Sequence, residues 1–148
     1  MLCPIWDWGV QAWDRQEKDN LSWSHPWASA PGTAIPRGFM GITATTPAFA
    51  RFTVKPQPGD VAEAQISLPT IAGPIRASFV QTSTSFALTL APPPNTLARV
   101  CLPKLGLAAA TLVVDGKSVA GEVRGDYVCV DGIGSAASAR HISRGSTA

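Results

Sequence analysis

The run IRASFVQTSTSFALTL occupies residues 75–90 and decides the fold. Its two apolar parts, residues 75–80 and 86–90, each have the length and composition of a β-strand. The polar residues 81–84 that separate them are typical of a hairpin loop. This stretch therefore predicts two strands that are joined by a tight connection.

Further strand-like runs lie on both sides of this hairpin. Residues 51–55 and 62–68 alternate between polar and apolar positions, and the first run places Phe52 and Val54 on one face. Downstream strands are predicted at residues 97–102, 112–114 and 127–130. Asp115-Gly116, directly after the second of these, is a strong two-residue hairpin signal. Short strands at this spacing predict a mainly β protein built on an antiparallel β-sandwich.

The first part of the chain differs in composition, because it contains all five tryptophans. A short helix is predicted at about residues 7–18. A second helix is predicted to begin after His25, with Pro26 in its first turn, and to end at Gly41. Two internal prolines should leave that helix irregular. Two such helices cannot bury their apolar faces alone, so they must pack on the strand domain, on another chain or on a segment outside this sequence.

These patterns divide the chain into a helical part, residues 1–45, and a β-sandwich, residues 46–148. The end of the sandwich is rich in serine, alanine and arginine. We expect this tail to fray from about residue 134.

A cluster of indole rings around His25 is the strongest functional signal. Indole faces stack on the C–H faces of a pyranose, and polar groups between them bind its hydroxyls, so the cluster fits a sugar-binding surface. The alternative is that the tryptophans are core residues and that His25 is structural. For the nearby acidic residues, among them Asp7, a solvated surface charge is the expected role.

Composition excludes several classes of function. The formal net charge is only +2 and no run of Lys or Arg occurs, so no nucleic-acid partner is expected. No apolar run approaches the length of a membrane span, so no membrane partner is expected. No signal peptide is visible, and the localisation stays open. No phosphate loop or metal-ligand spacing occurs, so neither a cofactor nor a metal is expected.

The chain has three cysteines, two of which, Cys101 and Cys129, lie in strand-like apolar runs. Free buried thiols are the usual case for such positions, and that is our expectation. A disulfide between Cys101 and Cys129 is the alternative.

Several longer segments together resemble the C-terminal part of bacterial and fungal α-L-rhamnosidases. The resemblance is specific in residues 12–14, 20–31, 35–42 and 47–59, and it is looser in residues 68–70, 73–75 and 114–117. It implies the last helices of an (α/α)6 catalytic barrel followed by a C-terminal β-sandwich. It also implies the hydrolysis of terminal α-L-rhamnose from glycosides, with inversion, by a glutamate acid and a glutamate base.

The resemblance assigns roles to residues of the tryptophan-rich segment. The family's Ser-His-Xaa-Trp motif is matched by Ser24-His25-Pro26-Trp27, which implies that His25 lines the rhamnose pocket. Trp13 and Trp27 stand where aromatic pocket residues or barrel-packing residues are expected. These three residues are the predicted substrate-binding residues, and the implied substrate is a rhamnosyl glycoside if the barrel is completed.

Two departures from the family pattern concern catalysis. The region of the general acid is not contained in this sequence. The family's base precedes a tryptophan by two residues, and here that position is Gln11, which cannot accept a proton from water. Asp7 would replace it only after a shift in register. The catalytic residues are therefore unknown.

Three functions remain open. The first is a C-terminal fragment of an α-L-rhamnosidase that is inactive on its own. The second is a carbohydrate-binding module that uses His25 and the tryptophans. The third is a structural accessory β-sandwich that packs on another polypeptide carrying the rest of the barrel, such as a missing upstream catalytic segment.

Overall fold

The computed structural model describes residues 30–106, 111–134 and 137–142. The chain divides into two compact units, Met1–Ile35 and Pro36–Ala148. The helix predicted at residues 7–18 lies outside the described residues, and the division of the chain near residue 45 stays a prediction.

The described end of the second predicted helix is irregular, as its prolines indicate. An α-helix, Ala30–Thr33, is followed directly by a π-helix, Ala34–Phe39. Gly41 has a φ of +65°, and a Cβ atom at this position would collide with the backbone carbonyl of Lys55. Only glycine fits such a position, so Gly41 allows the chain to turn from the helical segment into the first strand.

Eleven strands and one 3₁₀-helix follow in the described residues. In chain order the strands are β1 Ile42–Ala44, β2 Arg51–Val54, β3 Glu63–Leu68, β4 Ile75–Gln81, β5 Ser85–Ala91, β6 Leu97–Pro103, β7 Thr111–Val114, β8 Lys117–Val119, β9 Glu122–Arg124, β10 Tyr127–Ile133 and β11 Ala137–Ile142. The 3₁₀-helix Pro47–Phe49 connects β1 to β2.

The strands form two sheets. Sheet A has the order β1-β2-β6-β10-β9, and sheet B has the order β3-β4-β5-β11-β7-β8. The neighbours are antiparallel except β2 and β6, which run parallel with Phe52 opposite Ala98. The mainly β class with antiparallel sheets is therefore confirmed.

One hydrophobic core lies between the two sheets. The alternation in β4 and β5 buries every second residue, and Phe79 and Phe86 stack with their ring centroids 5.3 Å apart. Sheet A contributes Phe52 and Val54 from β2, as the sequence predicts, and Val100 from β6. Apolar side chains from both sheets thus form one cluster, which is the arrangement of a sandwich.

Both predicted hairpins are confirmed. β4 and β5 pair in antiparallel register, and the backbone N–H of Ser85 donates to the Thr82 hydroxyl at 3.1 Å across the turn. At the second hairpin, Asp115 and Gly116 have φ values of 49° and 79°. Positive φ at both central residues gives the turn a backbone twist that matches the twist of the two strands in a two-residue hairpin.

The tail contradicts the expectation that it frays from about residue 134. Residues 137–142 form β11, which lies between β5 and β7 and pairs with both. Ala139 is buried in the core. Hydrogen bonds to two distant strands hold this segment, although its alanines, serine, arginine and histidine give it little strand propensity of its own.

The expectation of free thiols is also wrong, because Cys101 and Cys129 form a disulfide. The two residues lie directly opposite each other in β6 and β10, with their Cα atoms 4.0 Å apart. The sequence shows that both residues lie in strands but not that these strands are neighbours, and neighbouring strands are what allow the bond to form.

Candidate functional site

The substrate-binding residues predicted from the sequence, His25, Trp13 and Trp27, lie outside the described residues. The same holds for Gln11 and Asp7. Their roles stay predictions, and the site described below is built from residues of the sandwich.

The outer face of sheet A carries most of the specific polar chemistry in the described part of the chain. Alternation in β6 directs Val100 into the core and turns Arg99 toward the opposite face. In β10 the register shifts between Val130 and Ile133, and Gly132 in this bulge has a φ of +82°. A bulge redirects the neighbouring side chain, and here Asp131 comes within 3.3 Å of the Arg99 guanidinium.

Arg99 is the centre of a charged network on this face. It pairs with Glu122 of the edge strand β9 and with Asp131 of β10. Arg124 also donates to Glu122, with Nη2 2.8 Å from Oε1. Hydrogen bonds from Arg124 and then from Arg99 lower the pKa of Glu122 below its usual value. The network therefore extends the pH range in which Glu122 is ionised toward more acidic pH.

This arrangement does not provide a catalytic pair of carboxylates. An inverting glycosidase needs one protonated carboxylic acid and one carboxylate with a water between them and the sugar. Glu122 and Asp131 instead bind the same guanidinium. A carboxyl group with a lowered pKa is a poor proton donor at neutral pH.

A groove with a volume of about 280 Å³ runs beside this network. It is lined by Thr45, Arg51, Phe52, Thr53, Leu97, Ala98, Arg99, Asp131 and Gly132. We call it the arginine groove. Guanidinium, hydroxyl and carboxylate groups line it together with the half-exposed side chain of Leu97, so it can offer both hydrogen bonds and an apolar contact to a small ligand.

A second, more open groove lies around Tyr127. Its volume is about 500 Å³, and it is lined by Gln57, Pro58, Gly59, Pro103, Leu105, Gly106, Asp126 and Tyr127. The Tyr127 hydroxyl donates to the carbonyl of Pro56 at 3.0 Å, and Lys55 Nζ lies 4.3 Å from the centre of the ring. Burial, and then the charge of Asp126, raise the pKa of Tyr127. The hydroxyl and one face of the ring are thus already engaged within the protein.

Two features are absent from residues 30–106, 111–134 and 137–142. No group of three or more His, Cys, Asp or Glu side chains comes together there to hold a metal ion. Among these same residues, none of the helices has the length and apolar character needed to cross a bilayer.

The sequence patterns did not predict the charged network on the outer face of sheet A. The alternation in residues 97–102 is sufficient to turn Arg99 away from the core. Its partner Glu122 lies in the three-residue edge strand β9, which has no apolar pattern. The described residues thus define a β-sandwich domain in which Glu122 and Asp131 bind one guanidinium and do not form a catalytic pair.

Comparison with known families identifies this class of sandwich. The family "Bacterial alpha-L-rhamnosidase C-terminal domain" matches residues 41–118, which is more than half of the chain. The chain belongs to this family. The match begins at Gly41, where the chain enters β1, and extends into β8.

Solved structures share the fold. An α-L-rhamnosidase from Dictyoglumus thermophilum is 18% identical with a TM-score of 0.67, covering 73% of this chain and 13% of that protein. A Streptomyces avermitilis α-L-rhamnosidase complexed with L-rhamnose is 21% identical with a TM-score of 0.67, over 82% of this chain and 12% of that protein. A native α-L-rhamnosidase from Aspergillus terreus is 24% identical with a TM-score of 0.55, again over 82% and 12%.

The chain therefore spans only about an eighth of the length of these enzymes. At such low identity the likeness concerns the fold. A comparison with curated proteins finds no match.

Proposed function

We propose that this chain is the C-terminal part of an α-L-rhamnosidase and that it acts on a rhamnosyl glycoside only when a catalytic barrel is completed by other residues. The observation that carries the proposal is the family match over residues 41–118, which coincides with the sandwich from β1 to β8. In this proposal the residues that precede β1 are the last helices of the barrel, and the reaction is an inverting hydrolysis.

The chemistry of the sandwich supports inactivity of the chain on its own. Glu122 and Asp131 are both bound to Arg99, so neither is available as an acid opposite a base. Gln11 at the position of the family's base also supports inactivity, because an amide cannot accept the proton of the attacking water.

The proposed contacts with rhamnose come from His25, Trp13 and Trp27. The support is the Ser24-His25-Pro26-Trp27 motif and the ability of indole rings to stack on a sugar. If these residues bind the sugar without the rest of the barrel, the chain is a carbohydrate-binding module. Rhamnose binding to the isolated chain that is lost in His25→Ala would favour this second function.

The experiment begins with sequencing of the DNA upstream of the Met1 codon. We expect the reading frame to continue through helical repeats and an acidic catalytic segment. The longer protein and the present chain are then compared for hydrolysis of an aryl α-L-rhamnoside, each with Gln11 and with Gln11→Glu. Activity confined to the longer protein supports the proposal, and a stop codon or an unrelated gene upstream would contradict it.

A further inference from the structure

The arginine groove contains a positive charge that the described residues do not neutralise. Arg99 is balanced by Glu122 and Asp131. The guanidinium of Arg51 has no ion pair with any side chain in residues 30–106, 111–134 and 137–142. It is exposed at the groove. The groove therefore favours an anionic group beside Arg51.

The backbone at Arg51 is held in place by three hydrogen bonds. Its N–H donates to the Thr46 hydroxyl at 2.7 Å, and its carbonyl accepts from the N–H groups of Thr45 and Thr46 at 2.9 and 3.2 Å. The preceding loop contains Ala48 and Phe49 with φ values of 57° and 58°. Two consecutive non-glycine residues in the left-handed region are costly and persist only where the surroundings fix them. The base of the Arg51 side chain is thus preorganised at the rim of the groove.

The other residues that line the groove indicate which further chemical groups a bound anion would carry. Thr45 and Thr53 offer hydroxyls, and the Asp131 carboxylate can accept hydrogen bonds from ligand hydroxyls. Leu97 adds an apolar edge. The volume of about 280 Å³ is just below the usual range of ligand pockets, so the groove can hold only a small molecule.

From these features we infer that the arginine groove binds the carboxylate of a small sugar acid. The carboxylate pairs with the Arg51 guanidinium, and the sugar hydroxyls bond to the threonines and to Asp131. This site lies on the sandwich and does not depend on the proposed rhamnosidase activity.

The test is an NMR titration of the full chain with three probes: glucuronate, acetate and L-rhamnose. We expect glucuronate to shift the resonances of Thr53 and Arg99 with an affinity of about millimolar. Acetate lacks the hydroxyls and L-rhamnose lacks the carboxylate, so both should bind this groove at least about tenfold more weakly.

Variants locate the binding site. Arg51→Gln should weaken glucuronate binding at least about tenfold, because a charge-assisted bidentate contact is lost. Arg76→Gln removes an exposed arginine from β4 of the other sheet and should bind like the unaltered chain. Thr53→Ala serves as a second groove variant if Arg51→Gln fails to fold.

Three results would overturn the inference. These are no shift with glucuronate, equal affinity for acetate, and glucuronate binding that Arg51→Gln leaves unchanged. Rhamnose binding that depends on His25 would be a separate result and would concern the proposed function.

Discussion

The two sheets resemble each other on their inner faces and differ on their outer faces. Both inner faces are apolar and share one core, in which Phe52 of sheet A and Phe86 of sheet B are fully buried. The outer face of sheet A carries the Arg99 network and the arginine groove. The outer face of sheet B presents short polar side chains such as Ser78 and Thr89. The apolar core is thus shared by both sheets, whereas the Arg99 network and the arginine groove lie on sheet A.

The largest expected effect concerns the apolar inner faces, which the two sheets have in common. Phe86→Ala removes a buried ring that stacks on Phe79 and should lower the free energy of unfolding by about 3–5 kcal/mol. Thr89→Ala, on the outer face of the same strand, should change it by less than about 0.5 kcal/mol. Urea unfolding followed by circular dichroism measures both. Similar losses for the two variants would show that the inner and outer faces of sheet B are not distinct.

The disulfide should have the next largest effect. It closes a loop across 28 residues of sequence, so its reduction should lower the free energy of unfolding by about 3–4 kcal/mol. Unfolding with and without reductant measures this loss. The double variant Cys101→Ala, Cys129→Ala is the control, since reductant should not change its stability. An unaltered chain that is insensitive to reductant would contradict the bond.

Tyr127→Phe should have a smaller effect that depends on pH. Loss of the hydrogen bond to Pro56 should cost about 1 kcal/mol. Because the pKa of Tyr127 is raised in the folded state, the stabilisation is fully present below the tyrosine pKa of the unfolded chain and is lost as the pH rises through the folded value. The unaltered chain should therefore lose stability more steeply than Tyr127→Phe above about pH 10. Parallel alkaline profiles would show that Tyr127 does not titrate as its surroundings indicate.

The smallest effect concerns the Arg99 network. Glu122 has a lowered pKa, so its contribution to stability is present above the carboxyl pKa of the unfolded chain and is lost as the pH falls through the folded value. Glu122→Gln should flatten the acid side of the stability profile slightly, and added salt should reduce the difference because the network is exposed. The control Glu63→Gln removes an exposed carboxylate on β3 of sheet B, which lies outside the Arg99 network. If Glu63→Gln has the larger effect, the contrast between the outer faces is wrong.

Sequence patterns predicted the strands that bury alternate residues, because an apolar period of two is a local property of the chain. The hairpins at residues 81–84 and at Asp115-Gly116 were predictable for the same reason, since loop residues of this kind specify a turn locally. β11 was not predictable, because its place in sheet B depends on hydrogen bonds to β5 and β7 rather than on its own composition.

The candidate site was less predictable than the fold. Arg99 could be assigned to the outer face from alternation alone, but its partners depend on β9 and on the bulge at Gly132. The disulfide required knowledge that β6 and β10 are neighbours. His25, Trp13 and Trp27 lie outside the described residues, so their roles rest on the family resemblance.

The most direct test of the account is the hydrolysis of an aryl α-L-rhamnoside by the purified chain alone. Because Glu122 and Asp131 are bound to one guanidinium and do not face each other across a substrate, we predict release of the aryl group at the rate of buffer. Release above that rate that is abolished by Glu122→Gln or Asp131→Asn would contradict the account, because it would show that the sandwich carries a catalytic pair of its own.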